Sequence, residues 1–324
     1  MLILNEDNIL DIGINWNETV NVIEHTVKSI SEGDFAQPLK PYLRYGNPKN
    51  RIIAMPAFVG GKTNMAGIKW IASFPENIKK NIPRAHSVVI LNDADTGEPK
   101  GIITTALLSV IRTASVSGLI VKYFDQARDL AHIKIGISGF GPIGQYHLKM
   151  CSELLAGKIG KICLYDVRPI DPATIQCAQA EVVDSWEEAY QDADIFITCT
   201  VSDAAYIDQQ PKPGSLHINV SLRDYKPSVY QWFKDSIIVD DWVEVCREKT
   251  DIEMMHLQMG LQQEDTKSII DLVVNRSMET YPAALPVMFN PMGMAAFDIA
   301  LGSYYYHAES KRLEHAAETA QTVF

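Results

Sequence analysis

Ile135-Gly-Ile-Ser-Gly139-Phe-Gly141-Pro-Ile-Gly144 is an apolar strand sequence that runs into three closely spaced glycines and then into a predicted helix. At this spacing the first glycine allows a tight turn, the second lets backbone approach a pyrophosphate, and the third lets helix and strand pack closely. The phosphates then lie on the unpaired N–H groups of the helix N-terminus. Because ordinary turns also match such a pattern, the surrounding sequence has to support it. The pattern predicts a dinucleotide site that includes Gly139, Gly141, Pro142, Ile143 and Gly144.

The next predicted strand, Lys161-Ile-Cys-Leu-Tyr165, supports this interpretation because it ends in an acidic residue, Asp166. A carboxylate at this position accepts hydrogen bonds from both hydroxyls of the adenosine ribose, which favours NAD over NADP. A strand-end aspartate also serves simply to cap a turn. Arg168 lies close enough to leave the cofactor preference open, and we include it in the predicted cofactor site.

The composition is that of a folded, soluble protein. A chain of 324 residues is long enough for a large core and for two domains. Charged residues make up 21% and hydrophobic residues 47%, which excludes a wholly disordered chain. The net charge of −11, with no basic stripe to offset it, argues against nucleic acid as a partner, although a small anionic substrate remains compatible with it.

The cysteines and the N-terminus favour a cytoplasmic location. Five widely spaced cysteines without a CxxC pair are typical of reduced, mostly buried thiols. The sequence Met1-Leu-Ile-Leu-Asn-Glu-Asp has no basic region ahead of an apolar one, so we expect no signal peptide. The eight histidines form no cluster with metal-ligand spacing, and we expect no metal.

The segment before the glycines predicts an α+β module. Apolar residues recur at helical spacing near 17–32, which predicts an amphipathic helix there. Short predicted strands follow, bounded by Pro, Gly, Asn or Asp. They are Arg51–Met55, Met65–Ile71, Ser87–Leu91 and the run that begins at Gly101.

From about residue 133, strands alternate with helices. The strands are continuously apolar, as expected for a parallel sheet that is covered on both faces. They are predicted near 133–138, 161–165, 194–199, 215–220 and 236–240.

This alternation predicts an α/β fold with a doubly wound parallel sheet, the Rossmann arrangement, at 113–291. The tail from Met292 to about Gln321 predicts one or two helices that cross back onto the first domain, which would then comprise 1–112 and 292–324.

The apolar stretch from Gly101 to Val121 is long enough to resemble a transmembrane helix, but Arg112 lies at its middle. A charge there, without flanking basic clusters, argues against a membrane span. On a buried helix an arginine requires an anion nearby. That anion is either a structural Asp or Glu, or a bound carboxylate.

Several motifs together resemble the ornithine cyclodeaminase/mu-crystallin family over nearly the whole chain. They occur in the family's order and are Arg51-Ile-Ile-Ala-Met-Pro56, Gly67-Ile-Lys69-Trp, Ser109-Val-Ile-Arg112-Thr-Ala114, the glycine-rich turn and Asn290-Pro-Met-Gly-Met294. Longer strings resemble one branch of the family. They are Asp34-Phe-Ala-Gln-Pro-Leu-Lys-Pro-Tyr-Leu-Arg44, Ile197-Thr-Cys-Thr-Val201, Val239-Asp-Asp-Trp242 and Cys246-Arg-Glu-Lys249.

The resemblance implies an enzyme that acts on amino acids with NAD, and a likeness to that branch implies a specific reaction. N-(2-amino-2-carboxyethyl)-L-glutamate would be oxidised to an imine, and hydrolysis would give 2,3-diaminopropionate and 2-oxoglutarate for siderophore biosynthesis. The resemblance also implies that the first domain binds the substrate. It implies a homodimer formed through the sheet of that domain.

The resemblance assigns the substrate carboxylate to Arg44, Lys69 and Arg112. Guanidinium groups bind a carboxylate through two parallel hydrogen bonds, and a lysine adds a mobile charge. Burial beside two arginines should lower the pKa of Lys69 and make it available for amine chemistry. The alternative is a surface lysine on a strand.

The catalytic aspartate of the family corresponds to Asp224, which can act as a general base or move an amine proton. The alternative is a solvated loop charge beside Arg223 and Lys226. Three further cofactor contacts are implied, namely Thr113, Thr200 and Val201. Asp298 would be either a partner of the substrate-binding residues or a charge on a helix surface.

One departure from the family pattern bears on the reaction. Cyclodeaminases carry a glutamate in the segment where this chain has Ile53 and Ala54. The pattern of glycine, then lysine, then glutamate that follows the aspartate of ornithine enzymes is absent from Asp224-Tyr-Lys-Pro-Ser-Val-Tyr230. This favours a dehydrogenase. A cyclodeaminase, a simpler amino-acid dehydrogenase or imine reductase, and a non-catalytic nucleotide-dependent binding protein stay open as alternatives.

Overall fold

The structure, a computed structural model, describes residues 1–322. The strands are β1 (Leu2–Leu4), β2 (Phe35–Ala36), β3 (Tyr42–Leu43), β4 (Arg51–Val59), β5 (Met65–Ser73), β6 (Ala85–Asp93), β7 (Pro99–Ile103), β8 (Ile133–Ser138), β9 (Ile159–Tyr165), β10 (Ala180–Val182), β11 (Ile195–Thr198), β12 (Leu216–Asn219), β13 (Ile237–Val239), β14 (Lys267–Ser268) and β15 (Val287–Asn290). The α-helices are α1 (Glu6–Ile12), α2 (Trp16–Ser31), α3 (Leu107–Arg128), α4 (Pro142–Leu154), α5 (Trp186–Tyr190), α6 (Tyr230–Phe233), α7 (Trp242–Val245), α8 (Asp251–Met259), α9 (Ile269–Val273) and α10 (Ala295–Thr322).

The chain divides into two compact units. The first comprises Met1–Arg112 together with the segment that begins at Met294, and the second comprises Thr113–Gly293. Helix α3 begins in the first unit and continues into the second.

The first unit is built on a seven-stranded sheet in the order β1-β7-β6-β5-β4-β2, with β3 also paired to β4. Strands β4, β5 and β6 are long and antiparallel, and Met55, Lys69 and Val89 lie side by side in their register. Alternate residues on these strands are buried, and α10 packs against all three strands. The tail, for which one or two helices were expected, forms the single helix α10 in the first unit.

Helix α2 confirms the helix predicted near 17–32. Its N-terminus is capped by the Asn15 side chain, which accepts a hydrogen bond from the Glu18 N–H. The residues at helical spacing, Val20, Ile23 and Val27, are all buried. The burial of this apolar face, rather than helix propensity alone, stabilises a helix of this length.

The second unit contains an eight-stranded sheet in the order β10-β9-β8-β11-β12-β15-β13-β14, and every pairing in it is parallel. The chain first builds outward from β8 to β9 and β10, then returns to β11 on the other side of β8. This reversal confirms the doubly wound arrangement. Ligands of such sheets bind outside the carboxyl ends of the strands at the point of reversal.

Three strands of this sheet, β10, β14 and β15, were not predicted from the sequence, and β15 matters most. It inserts between β12 and β13, and all four of its residues are buried. Its sequence, Val287-Met-Phe-Asn290, is short and lies between Pro286 and Pro291, so it lacks the length and the alternation by which strands are recognised.

The apolar stretch around Arg112 also differs from a single continuous helix. Strand β7 ends at Ile103 and α3 begins at Leu107, whose N–H donates to the Thr105 hydroxyl oxygen at 3.1 Å. By length and composition α3 could cross a membrane, but 78% of its apolar window is buried inside the structure. Such burial is typical of the core helix of a soluble protein.

Candidate active site

The three glycines after β8 have different structural tasks. Gly139 has a positive φ of 90°, and its N–H donates to the Tyr165 carbonyl oxygen at 2.8 Å. A Cβ on Gly144 would lie 2.1 Å from the Gly139 carbonyl oxygen, so only a glycine lets α4 start this close to the turn. A Cβ on Gly141 would meet only an Arg168 nitrogen, at 3.9 Å. The backbone is therefore open to a phosphate at Gly141, just before Pro142 and Ile143 begin α4.

We expect alanine at Gly144 and at Gly141 to affect different properties of the protein. Gly144→Ala should lower the free energy of unfolding by about 1–3 kcal/mol, because the new methyl group overlaps backbone. Gly141→Ala should leave the stability of the nucleotide-free protein unchanged but weaken NAD binding by at least about tenfold, or 1.4 kcal/mol. Denaturant unfolding and calorimetric titration with NAD measure the two effects. Wild-type NAD affinity in Gly141→Ala would contradict the assignment of this backbone to the pyrophosphate.

Asp166 joins the end of β9 to the glycine turn. Its Oδ2 accepts the Phe140 N–H at 2.8 Å, and its Oδ1 accepts the Arg168 N–H at 2.9 Å and Nε–H at 3.3 Å. Partial burial opposes ionisation of Asp166, but these hydrogen bonds outweigh it and lower the pKa of the carboxyl. The carboxylate therefore does cap a turn, and its Oδ2 can accept one further hydrogen bond, from a ribose hydroxyl.

The other predicted cofactor residues lie on α3 and after β11. Thr113 is half-buried on α3, Thr200 is half-buried two residues after β11, and Val201 is 63% exposed. The sequence analysis passed over Val167, which follows Asp166 and is 86% exposed. Two exposed valines thus follow β9 and β11, the strands on either side of β8, and offer apolar surface next to the glycine turn.

A buried ion cluster in the first unit consists of Lys69 on β5, Arg112 on α3 and Asp298 on α10. The Lys69 Nζ lies 2.7 Å from Asp298 Oδ2, and the Arg112 Nε lies 3.0 Å from Asp298 Oδ1. All three residues are buried, and Lys69 is only 1% exposed. The alternatives of a surface lysine and of a helix-surface aspartate are therefore wrong. Arg112 has the structural carboxylate partner that its burial requires.

Burial is the main reason why the pKa of Lys69 falls to about 7. Asp298 opposes this decrease, while the charges of Arg112 and Lys40 add to it. The direction agrees with the expectation, but the cause is mainly desolvation rather than two arginines. Asp298 remains ionised, because the two cations outweigh the effect of burial and lower its pKa.

Arg44 lies in a different environment from the ion cluster. It is exposed, directly after β3, and its guanidinium carbon lies 5.3 Å from the centroid of the Tyr42 ring. The structure therefore brings Lys69 and Arg112 together in a buried cluster and leaves Arg44 at the surface.

Removing the shared carboxylate should be strongly destabilising. We expect Asp298→Asn to lower the free energy of unfolding by about 3–5 kcal/mol, because it leaves two buried cations without their anion. The control is Asp208→Asn, which breaks a surface pair whose two side chains are each 46% exposed, and which should cost less than about 1 kcal/mol. Urea unfolding of both variants measures these losses. A similarly small decrease in the free energy of unfolding in both variants would show that Asp298 does not neutralise the cluster.

Asp224 is completely buried in the second unit, so the alternative of a solvated loop charge is wrong. Its Oδ1 accepts the Thr200 hydroxyl at 2.5 Å, and its Oδ2 accepts the Ser221 hydroxyl. Burial raises the pKa of Asp224, although the hydroxyl donors oppose this increase. The neighbouring cations are engaged elsewhere: Arg223 donates to the Glu248 carbonyl oxygen, and Lys226 pairs with Asp208.

A second buried carboxyl, Asp251, shapes the loop that carries Asp224. Asp251 Oδ2 accepts hydrogen bonds from the backbone N–H groups of Asp224 and Tyr225 and from the Asn219 side chain. Leu222, within this loop, adopts a left-handed φ of 61°. Burial raises the pKa of Asp251 to about 7. The sequence analysis missed this residue, since its only local signal is a Thr250 cap followed by an acidic first turn.

No group of three or more His, Cys, Asp or Glu residues within 1–322 could hold a metal ion. The buried charged side chains described above form two clusters. One contains Lys69, Arg112 and Asp298 in the first unit, and the other surrounds Asp224 in the second.

Comparison with known proteins gives the family. The model of the ornithine cyclodeaminase/mu-crystallin family matches residues 6–311. The chain belongs to this family. It is 32% identical to N-((2S)-2-amino-2-carboxyethyl)-L-glutamate dehydrogenase of Staphylococcus aureus, over 94% of each chain. It is 25% identical to alanine dehydrogenase of Archaeoglobus fulgidus, again over 94% of each chain.

Solved structures show the same fold. Thermococcus litoralis Delta(1)-pyrroline-2-carboxylate reductase in complex with NADH and L-proline has a TM-score of 0.84 at 21% identity, with 98% of each chain covered. An archaeal alanine dehydrogenase dimer with bound NAD has a TM-score of 0.82 at 22% identity, covering 96% of this chain and 97% of that one. The predicted fold class and family are confirmed. Because the relatives are dehydrogenases and reductases, the expectation of an oxidoreductase enzyme is confirmed as well.

Proposed function

We propose that the protein is an NAD-dependent dehydrogenase of an N-substituted amino acid, N-(2-amino-2-carboxyethyl)-L-glutamate. The observation that carries this proposal is the buried amine of Lys69, with a pKa of about 7, beside the guanidinium of Arg112. This pair offers both a proton acceptor and a carboxylate ligand. The likeness to the Staphylococcus aureus enzyme, named for this substrate, supports the same choice.

The second unit is suited to bind the cofactor. Gly141 and the start of α4 offer open backbone and unpaired N–H groups to a pyrophosphate, and Asp166 offers an acceptor oxygen to a ribose. These features, with Arg168, Thr113, Thr200 and Val201, make up the proposed site. Bound NAD supplies the acceptor for the hydride that leaves the substrate's Cα.

In the first unit, Arg112 and Lys69 are assigned to the substrate. The Arg112 Nε is engaged with Asp298, and we assign its terminal nitrogens to a substrate carboxylate. A secondary amine releases hydride from its Cα only when it is unprotonated, because its lone pair forms the new C=N bond. Lys69 accepts the amine proton readily, since a pKa near 7 leaves much of it neutral at physiological pH. Arg44, which lies at the surface, is assigned to a carboxylate of the same substrate.

The second half of the reaction is hydrolysis of the imine. Asp224 takes a proton from water as the water oxygen adds to the imine carbon, and the nitrogen gains a proton. Collapse of the carbinolamine breaks the C–N bond and releases 2,3-diaminopropionate and 2-oxoglutarate. The oxidation yields one NADH and one proton for each substrate, and hydrolysis consumes one water.

A cyclodeaminase is the second candidate, because the family is named for that activity. Ile53 and Ala54 lie on β4 opposite Ile71 and Trp70, and they supply none of the carboxylate chemistry that cyclodeaminases have in this segment. This favours net oxidation over cyclisation. A simpler amino-acid dehydrogenase or imine reductase and a non-catalytic nucleotide-dependent binding protein are the remaining candidates.

A product assay tests the proposal. The wild-type enzyme with NAD and N-(2-amino-2-carboxyethyl)-L-glutamate should accumulate NADH, measured by absorbance, together with equal amounts of the two products, measured by mass spectrometry. Arg112→Lys should reduce kcat/KM at least about tenfold, because it loses the planar fork. The matched control, Arg276→Lys, changes a surface arginine paired with Glu279 and should leave the rate unchanged. Conversion of ornithine to a cyclic amino acid without net NADH would replace the proposal with the cyclodeaminase.

We also propose that the first unit forms a homodimer through the outer face of its sheet. The residues of this face alternate with those buried under α10, are aligned across the strands and remain partly exposed. They are Ile52, Ala54, Pro56, Phe58, Ile68, Trp70, Val88, Ile90 and Ile102. An apolar face of this extent is typical of a protein interface, and a second copy presents the same aligned face.

The dimer proposal is tested by a charge at the centre of this face. Trp70 is 42% exposed and lies between Ala54 and Val88. We expect Trp70→Lys to shift the mass measured by light scattering from dimer to monomer, because a buried lysine would lack a partner. Leu257→Lys, at an exposed leucine of α8, is the control and should stay dimeric. A monomeric wild-type protein would overturn the proposal.

A further inference from the structure

Asp224 has no solvent-exposed surface. A group that takes up a proton during the reaction must nevertheless exchange it with the reacting molecule or with solvent. Its two carboxylate oxygens are each hydrogen-bonded to one hydroxyl, Thr200 on Oδ1 and Ser221 on Oδ2. Thr200 and Ser221 are both half-buried. These two hydroxyls therefore lie in contact with the carboxylate oxygens and belong to residues that reach the surface, whereas Asp224 does not.

The two hydroxyls face different surroundings. Ser221 Oγ also lies 3.0 Å from the hydroxyl of Thr198, which is buried and in turn donates to the Asn219 side chain. Ser221 thus begins a chain of polar groups that leads into the protein interior. Thr200 and Ser221 each lie two residues beyond the carboxyl end of a strand, β11 and β12 respectively, on the side of the sheet where ligands of this fold bind. Ser221 is in addition engaged by Thr198.

This arrangement accommodates both protonation states of Asp224. With an ionised carboxylate, Thr200 and Ser221 each donate one hydrogen bond to it. With a proton on Oδ1, the carboxyl can donate to Thr200 Oγ1, and Ser221 continues to donate to Oδ2. Transfer of one proton along the Thr200–Oδ1 hydrogen bond changes one state into the other, and this hydrogen bond persists with its direction reversed.

We propose that Thr200 is a catalytic residue that transfers protons between Asp224 and the reacting water or amine. As the water oxygen forms its bond to the imine carbon, a water proton moves to Thr200 Oγ1 and the proton of Thr200 moves to Asp224 Oδ1. The hydroxyl is regenerated, the carboxylate becomes a carboxylic acid, and no electrons are exchanged. The inference rests on the proposed function and deepens it, since Thr200 was expected only to contact the cofactor.

The test compares Thr200→Val, which keeps the shape but removes the hydroxyl, with Thr200→Ser, which restores it. In a single turnover, rapid mixing follows NADH, and chemical quenching follows the amino-acid products. Thr200→Val should slow the same step that Asp224→Asn slows, by at least about tenfold, and Thr200→Ser should recover most of the rate. The double variant should be no slower than Asp224→Asn alone, because both residues act in one path.

The control is Thr174→Val, at a half-buried threonine of the same unit whose hydroxyl donates to the backbone oxygen of Asp171. Its rates should equal those of the wild type. A solvent deuterium isotope effect on the slowed step should fall in Thr200→Val, since the transferred hydroxyl proton is gone, and a purely structural role would leave it unchanged. Thermal unfolding of each variant verifies that it is folded.

The outcomes separate the relay from the function on which it rests. An active wild type with full rates in Thr200→Val overturns the relay alone. A change confined to the KM for NAD also overturns it and makes Thr200 a cofactor contact. A wild type that forms no NADH from the proposed substrate overturns the proposed function and the relay with it.

Discussion

The carboxylate of Asp298 has to neutralise Lys69 and Arg112, two cations that the fold buries at the same place. Removing such groups from water costs several kcal/mol for each ion, and only close partners with good geometry offset that cost. The three residues come from β5, α3 and α10, elements far apart in sequence. The ion cluster therefore requires the C-terminal helix to return to the unit in which the chain began.

The close approach of α10 to the sheet also depends on a residue without a side chain, Gly67. A Cβ on Gly67 would lie 2.2 Å from the Ile90 carbonyl oxygen and 3.0 Å from a methyl group of Ile299 on α10. The glycine beside Lys69 on β5 thus allows the packing that brings Asp298 within reach of it. Burial lowers the pKa of Lys69 to about 7, although the Asp298 carboxylate held at this distance opposes the decrease.

The second unit uses parallel strands for a different purpose. The carboxyl ends of β11, β12 and β15 present Thr198, Asn219 and Asn290, whose side chains form one hydrogen-bonded series. Asp251 joins this series through Asn219 and holds the backbone of Asp224. The amide and hydroxyl groups thus fix the position of a buried acid, and burial keeps its pKa above that of a solvated aspartate although the hydroxyl donors and the Arg223 charge oppose this.

The sequence by itself determined the helix α2, the glycine turn and five strands of the second unit, because apolar periodicity and glycine spacing are local signals. These strands are β8, β9, β11, β12 and β13. The sequence also pointed to Lys69, Arg112 and Asp224 through a family resemblance. Tertiary structure alone decided that Asp298 is shared by two cations, that β15 lies between β12 and β13, and that Thr200, Ser221 and Asp251 surround Asp224. These relations join residues that are distant in the chain, and burial, which sets their pKa values, depends on every element packed around them.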